Sequence, residues 1–181
     1  MAETIVTLKT VQGDIQVRFF PESAPEHVKN FIEHSKSGYY TGCTFHRVIP
    51  GFMIQGGDPN TKPGAGGMPG TGGYSYKGEG SKLPAEFNER KHVRGILSMA
   101  RSMDPDSAGS QFFIMHADST HLDGQYTVFG EAIGGLNVVD KIAGAEKDAG
   151  DMPSEDQRIE EVLVEEWDKK QIEAVKQADT E

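Results

Sequence analysis

The chain has 181 residues, 36% hydrophobic and 8% aromatic, enough for one domain with a full core and few for two. Its net charge of −10 gathers at the C-terminal end: residues 146–181 hold 13 acids and 5 bases, whereas residues 1–145 hold 15 and 13. The nearly neutral body has no basic stripe, which excludes the footprint of a nucleic-acid binder, and no apolar run nears the roughly 18 residues of a membrane helix.

The N-terminal MAETIVTLKT lacks a basic segment followed by an apolar one, so no secretory signal is expected. The stretch TIVTLKTVQGDIQVRFF reads as a hairpin: Ile5, Val6 and Leu8 precede a Gln12-Gly13-Asp14 turn, and Ile15, Val17 and Phe19 alternate with Gln16 and Arg18 after it. SAPEHVKNFIEHSKSG carries helix signals throughout. Ser23 is the expected cap, Pro25 and Glu26 suit the first turn, and Gly38 sits at the C-terminal stop. Val28, Phe31, Ile32 and Ser35 form its apolar stripe. Cys43, the one cysteine, excludes an internal disulfide and is expected as a buried structural thiol in a reducing compartment, with the cytoplasm as the default.

Strands are expected at 44–55, 95–99, 111–115 and 127–132, a short helix at 136–142, and a last strand at 158–167. Residues 168–181 form a polar, acidic tail, expected as a frayed helix or as disorder. It reads as a solubilising tail or a docking segment for a basic partner. Many short strands, two helices and abundant glycine argue for a mainly all-β barrel or sandwich with helical caps.

The glycine-rich residues 56–80 invite a phosphate-loop reading, but Glu79 follows Gly73 and Gly78 where lysine would have to stand. A long surface loop fits better. The six histidines show no metal-ligand spacing. Asp104-Pro105-Asp106 begins like a calcium loop, yet Met115 stands where the bidentate glutamate belongs. No metal site is expected.

The segment FHRVIPGFMIQGGD (45–58) poses the sharpest question, because Arg47 and Gln55 lie in an apolar run where polar side chains are costly to bury. With GTGG (70–73), GILSMA (95–100), GSQFFI (109–114) and LDGQYTVFGE (122–131), it resembles the cyclophilins in block order and spacing over roughly residues 4–167. The resemblance implies an eight-stranded antiparallel β-barrel closed by two α-helices, forming an isomerase domain over 1–167 that is followed by the tail. It implies peptidyl-prolyl cis–trans isomerase activity on proline-containing peptides and on unfolded or folded client proteins, with no cofactor.

The residue roles it implies are these. Arg47 is similar to the catalytic arginine, and Gln55 and Phe52 join it in the catalytic group. Phe52, Met53, Phe113 and Leu122 resemble the walls of the proline pocket, with Gln111 a polar lining residue. Ala100 and Arg101 occupy the edge that pairs with the peptide backbone, and Gly70 and Gly72 flank the groove.

Three departures stand out. His121 replaces a common tryptophan beside the pocket, which implies weakened binding of the inhibitor cyclosporin. Tyr126 replaces a common histidine, and Arg101 a common asparagine. Residues 60–69 and the tail look like additions to the family core. A proline-binding module without turnover is the rival reading, and retention of Arg47, Phe52, Met53, Gln55 and Phe113 argues against it. A holdase acting through the glycine-rich loop or the tail is a third. A monomer without membrane attachment is expected.

Overall fold

The computed structural model describes residues 2–179. The N-terminal hairpin forms as the alternation dictates, β1 (Glu3–Thr10) against β2 (Gly13–Phe19), with Val6 opposite Val17 and Leu8 opposite Ile15. Then come α1 (Pro25–Lys36), β3 (Arg47–Ile49), β4 (Met53–Gly56), β5 (Ile96–Met99), β6 (Phe112–Met115), β7 (Val128–Gly134), α2 (Leu136–Ala143), β8 (Ile159–Trp167) and α3 (Lys169–Asp179). The strands form one antiparallel sheet in the order β3-β4-β6-β5-β7-β2-β1-β8. It curls until its ends meet: Phe45 N–H donates to Gln157 O at 2.9 Å and Ile159 N–H to Cys43 O at 2.8 Å. Inward-facing residues then share one core, as in a barrel.

The apolar stretch expected as a single strand over 44–55 is two. Pro50 and Gly51 turn the chain, Gly51 at φ +78° and Phe52 N–H bonded to Ile49 O at 3.0 Å, the geometry of a type II turn. The resulting hairpin sets Arg47 opposite Gln55. That pairing carries the site.

At the start of α1 the expected Ser23 cap is absent. Ala24 holds the N-cap position, and the Glu86 carboxylate accepts the free N–H groups of Glu26 and His27 at 3.2 and 2.8 Å. The Ser23 hydroxyl instead accepts a bond from Arg90 Nε at 3.0 Å. The helix ends as expected, with Tyr39 N–H bonded to His34 O just past Gly38. Phe31 is its hub, with ring centroids of Phe19, Tyr40, Phe112 and Phe129 at 5.6, 4.9, 5.1 and 5.6 Å. Val138, Val139 and Ile142 of α2 join the same core.

Among the described residues three α-helices accompany the barrel, not two. Residues 169–179 of the expected tail form α3, and residues 180–181 lie outside the described residues. Asp168 and Gln171 cap its start reciprocally, each side chain 2.8 Å from the other's backbone N–H. Ile172 is buried with Ile5 and Ile133. At its far end, Asp179 Oδ1 accepts Gly135 N–H and Leu136 N–H at 2.8 and 3.1 Å, capping α2.

Burial lowers the pKa of His27, His34, His46 and His92, outweighing the acidic and backbone partners that pull the other way. An unfolded histidine takes up its proton near 6.5. Between that value and the folded pKa the unfolded chain binds more protons, so stability is complete above the unfolded value and falls with pH below it. The melting temperature is therefore expected to be flat from about pH 7 to 8 and to drop steadily towards pH 5. Scanning calorimetry across that range checks it, and a rise on acidification would contradict it.

Candidate active site

The β3–β4 hairpin presents Arg47 and Gln55 side by side, Nη1 to Oε1 at 3.4 Å. Gln55 Nε2 donates to Gln111 Oε1 at 2.9 Å, and Gln111 Nε2 donates to Gly72 O at 2.9 Å. A polar relay thus runs from the guanidinium to the glycine-rich loop. Among the described residues Arg47 makes no ion pair. An arginine held by a carboxamide rather than a carboxylate keeps most of its donors free.

Beside it opens a cavity of about 160 Å³. Phe52, Met53, Phe113 and Leu122 supply its apolar wall, with Tyr126, Ala100 and Arg101 at the other side and Gln55 beside Arg47. Phe113 stands edge-on to Tyr126, centroids 5.8 Å apart at 84°. A second cavity of about 220 Å³ adjoins the first and shares Gln55, Ala100 and Arg101 with it. Gly70, Gly72 and Gln111 line this one. His121 lines neither: it is exposed, its ring 6.0 Å from that of Phe52 on the outer side of the wall.

Two residues behind the site escaped the sequence reading. Asp58, fully buried, accepts the N–H of Asn60 at 2.8 Å, those of Gly70 and Gly72, and Gln111 Nε2 at 3.5 Å. A Cβ on Gly72 would come within 2.5 Å of that carboxylate, which is why the loop needs glycine there. His92 backs Phe113, stacked at 6.0 Å, and its ring nitrogens meet Asp123 Oδ1 at 3.0 Å and Ser98 Oγ at 2.8 Å. The partners that tie them to the site, Gly72 and Gln111 for Asp58 and Asp123 for His92, are distant in sequence and leave no local pattern.

Cys43 is buried and its thiol is pushed up to about 11, chiefly by desolvation, so it is inert as a nucleophile. Among the described residues no three His, Cys, Asp or Glu side chains gather into a possible metal site. No helix among them is long and apolar enough to cross a membrane.

An arginine with spare donors beside a cavity with one apolar wall suits recognition of a proline whose amide is polarised or twisted. The family model for cyclophilin type peptidyl-prolyl cis-trans isomerases matches residues 5–164. The chain belongs to the cyclophilin family. It is a peptidyl-prolyl cis–trans isomerase.

A probable peptidyl-prolyl cis-trans isomerase of Brucella abortus is 43% identical over 166 residues, covering 89% of this chain and 83% of the relative. The Arabidopsis thaliana isomerase CYP18-1 is 41% identical over 159 residues, covering 88% and 94%. A crystal structure of a Cryptosporidium parvum cyclophilin superimposes with a TM-score of 0.81 at 34% identity, covering 91% of this chain and 98% of that one. The same protein was also crystallised in the presence of the dipeptide Ala-Pro, and that structure superimposes with a TM-score of 0.80 at 35% identity. The cyclophilin barrel thus accounts for nearly the whole chain.

Proposed function

We propose that Arg47 performs the isomerisation by donating to the prolyl nitrogen of a client segment whose proline ring fills the 160 Å³ cavity. An X–Pro amide resists rotation by about 18–20 kcal/mol because its nitrogen lone pair conjugates with the carbonyl. At the twisted geometry the lone pair is freed and accepts a hydrogen bond. A donor aimed at it acts on the transition state and hardly at all on the planar ground state. Raising the uncatalysed rate to about 10–1000 per second requires roughly 4–7 kcal/mol. One charge-assisted bond supplies about 1.5–3 kcal/mol of that, and holding one side of the amide while the other turns supplies the remainder.

Gln55 is the fixed anchor in this reading, since Gln111 holds its amide from behind. Phe52, Met53, Phe113 and Leu122 bury the proline ring, and Ala100 and Arg101 meet the flanking backbone. Gly70 and Gly72 border the extension of the groove. The single observation that carries the reading is the Arg47 guanidinium, free of any ion pair, in the lining of the cavity that Phe52, Met53, Phe113 and Leu122 also line. The Ala-Pro dipeptide used with the Cryptosporidium relative supports proline as the ligand.

Exchange spectroscopy on a short X–Pro peptide tests it. Catalytic amounts of the protein should accelerate cis–trans exchange, and the backbone amides of Gln55, Ala100 and Gln111 should shift on titration. Acceleration with those amides unmoved would put the site elsewhere.

In our reading the protein works as a monomer on exposed X–Pro segments of client proteins. We place it in the cytoplasm, the default for a chain whose one cysteine, Cys43, leaves no internal disulfide. Cyclosporin-type inhibitors bind more weakly here than where tryptophan stands in place of His121, because the smaller, exposed imidazole covers less apolar surface. His121→Trp is expected to tighten cyclosporin binding about tenfold with little change in turnover, as a fluorescence titration would show. Unchanged affinity would remove His121 from the inhibitor surface.

A further inference from the structure

The two residues Arg101 and Tyr126, which depart from the family's common asparagine and histidine, meet in space. Arg101 Cζ lies 4.6 Å from the centroid of the Tyr126 ring. The same guanidinium donates through Nη2 to Gln125 O at 2.6 Å, and through Nη1 to Ser102 O at 2.9 Å and Met103 O at 3.4 Å. It therefore spans from its own loop to the loop of residues 123–127. Among the described residues it makes no ion pair, so its charge is spent on carbonyls and an aromatic face. Its Nε is buried with no hydrogen-bond partner among the described residues, a cost the other contacts must offset.

We propose that Arg101 is a positioning residue for the isomerase reaction: a strut that holds the Tyr126 ring as one wall of the proline pocket. Only a planar guanidinium can do this, because its edge donates to carbonyls while its face lies on a ring. Lysine offers a point charge without the fork, and asparagine is too short to reach both loops. The wall so fixed passes on to the pocket floor, since Tyr126 stands edge-on to Phe113. Arg101 also lines both cavities, so the strut doubles as the partition between the proline pocket and its neighbour. Without it, Tyr126 loses its cover on one side and samples other rotamers. The peptide then has to order the wall as it binds, and that lowers affinity. Arg47, held on the β3–β4 hairpin opposite Gln55, is left in place.

This inference rests on the proline-pocket reading, and the experiment separates the two. Exchange kinetics with an X–Pro peptide are measured for the intact protein and for Arg101→Asn, Arg101→Lys, Tyr126→Leu and the Arg101→Asn/Tyr126→Leu double variant. Arg101→Asn should raise KM about five- to tenfold, with kcat held within about twofold. Arg101→Lys should restore little, because charge is not what the strut supplies. Tyr126→Leu should raise KM to a similar extent, and the double variant should go no further than either single one.

Additive effects, rescue by lysine, or an unchanged KM in Arg101→Asn would each overturn the proposal. A second measurement needs no substrate. Ring ¹³C resonances of Tyr126 in the free protein should show one fixed environment, and averaging in Arg101→Asn. An unaltered ring in that variant likewise overturns it. If instead the intact protein fails to accelerate exchange while the Tyr126 ring still responds to Arg101→Asn, the pocket reading has failed and the strut has not.

Discussion

Replacing Arg47 with alanine is expected to lower kcat/KM for an X–Pro peptide by about 100- to 1000-fold, the usual cost of losing a preorganised donor to a transition state. The loss should fall on kcat. The cavity proposed for the proline ring has Phe52, Met53, Phe113 and Leu122 in its lining and keeps them without the guanidinium, so peptide affinity should change little. Fold stability should also be nearly untouched, because Arg47 is exposed and its contact with Gln55 is a long 3.4 Å. Arg47→Lys should recover part of the rate at most, as an ammonium carries the charge but not the planar set of donors. The check is exchange spectroscopy with a parallel binding titration. If Arg47→Ala lost affinity and rate in equal proportion to the ground state, arginine would be a binding group, and another source of barrier lowering would have to be found.

How far the sequence led depends on how local each feature is. The β1–β2 hairpin and α1 were legible because alternation, turn residues and a helical stripe all lie within about 20 residues. The β3–β4 hairpin was not, since Pro50-Gly51 sits inside an apolar run that masks the turn. Yet that missed turn explains how Arg47 and Gln55 can coexist in such a run: the hairpin brings the two together at the mouth of the groove.

The third helix was readable in principle from the Asp168–Gln171 capping pair. Its mostly polar composition left a frayed helix and disorder both open, and what decides for the helix is Ile172 packing on Ile5 and Ile133, residues at the far end of the chain and on β7. The site is the opposite case. Its residues are strewn from Arg47 to Tyr126, and no periodicity connects them. They were gathered by the ordered family motifs, and Asp58 and His92, which support the site through distant partners, went unnoticed. His121 illustrates the limit of a motif. The resemblance implies a residue bordering the pocket there, but His121 is exposed, lines neither cavity and has its ring 6.0 Å from that of Phe52.

The largest stability effect should come from a residue that touches no substrate. Phe31 is fully buried and its ring meets four others, from α1 to β2, β6, β7 and the loop bearing Tyr40. Truncating it to alanine removes both the transfer free energy of the ring and the contacts of its neighbours, a loss of about 3–5 kcal/mol. For a domain of this size that corresponds to a melting temperature lower by about 10–15 °C. The neighbours cannot collapse into the gap, since each is fixed from another side; Tyr40, for example, donates its hydroxyl to Ser110 O at 2.8 Å. Phe31→Leu, which refills most of the volume, should cost less than half as much.

Below the lowered transition, both variants should isomerise an X–Pro peptide at nearly the rate of the intact protein, because Phe31 lines neither cavity. Arg47→Ala should behave in the opposite way, inactive at an unchanged melting temperature. Calorimetry and exchange kinetics on the same samples therefore separate the two roles. A Phe31→Ala protein that melted normally would show that the aromatic cluster adds little to the barrel's stability. One that lost its rate while still folded would show that core packing reaches the site, and β6, where Phe112 of the cluster adjoins Phe113 of the pocket, would be the path.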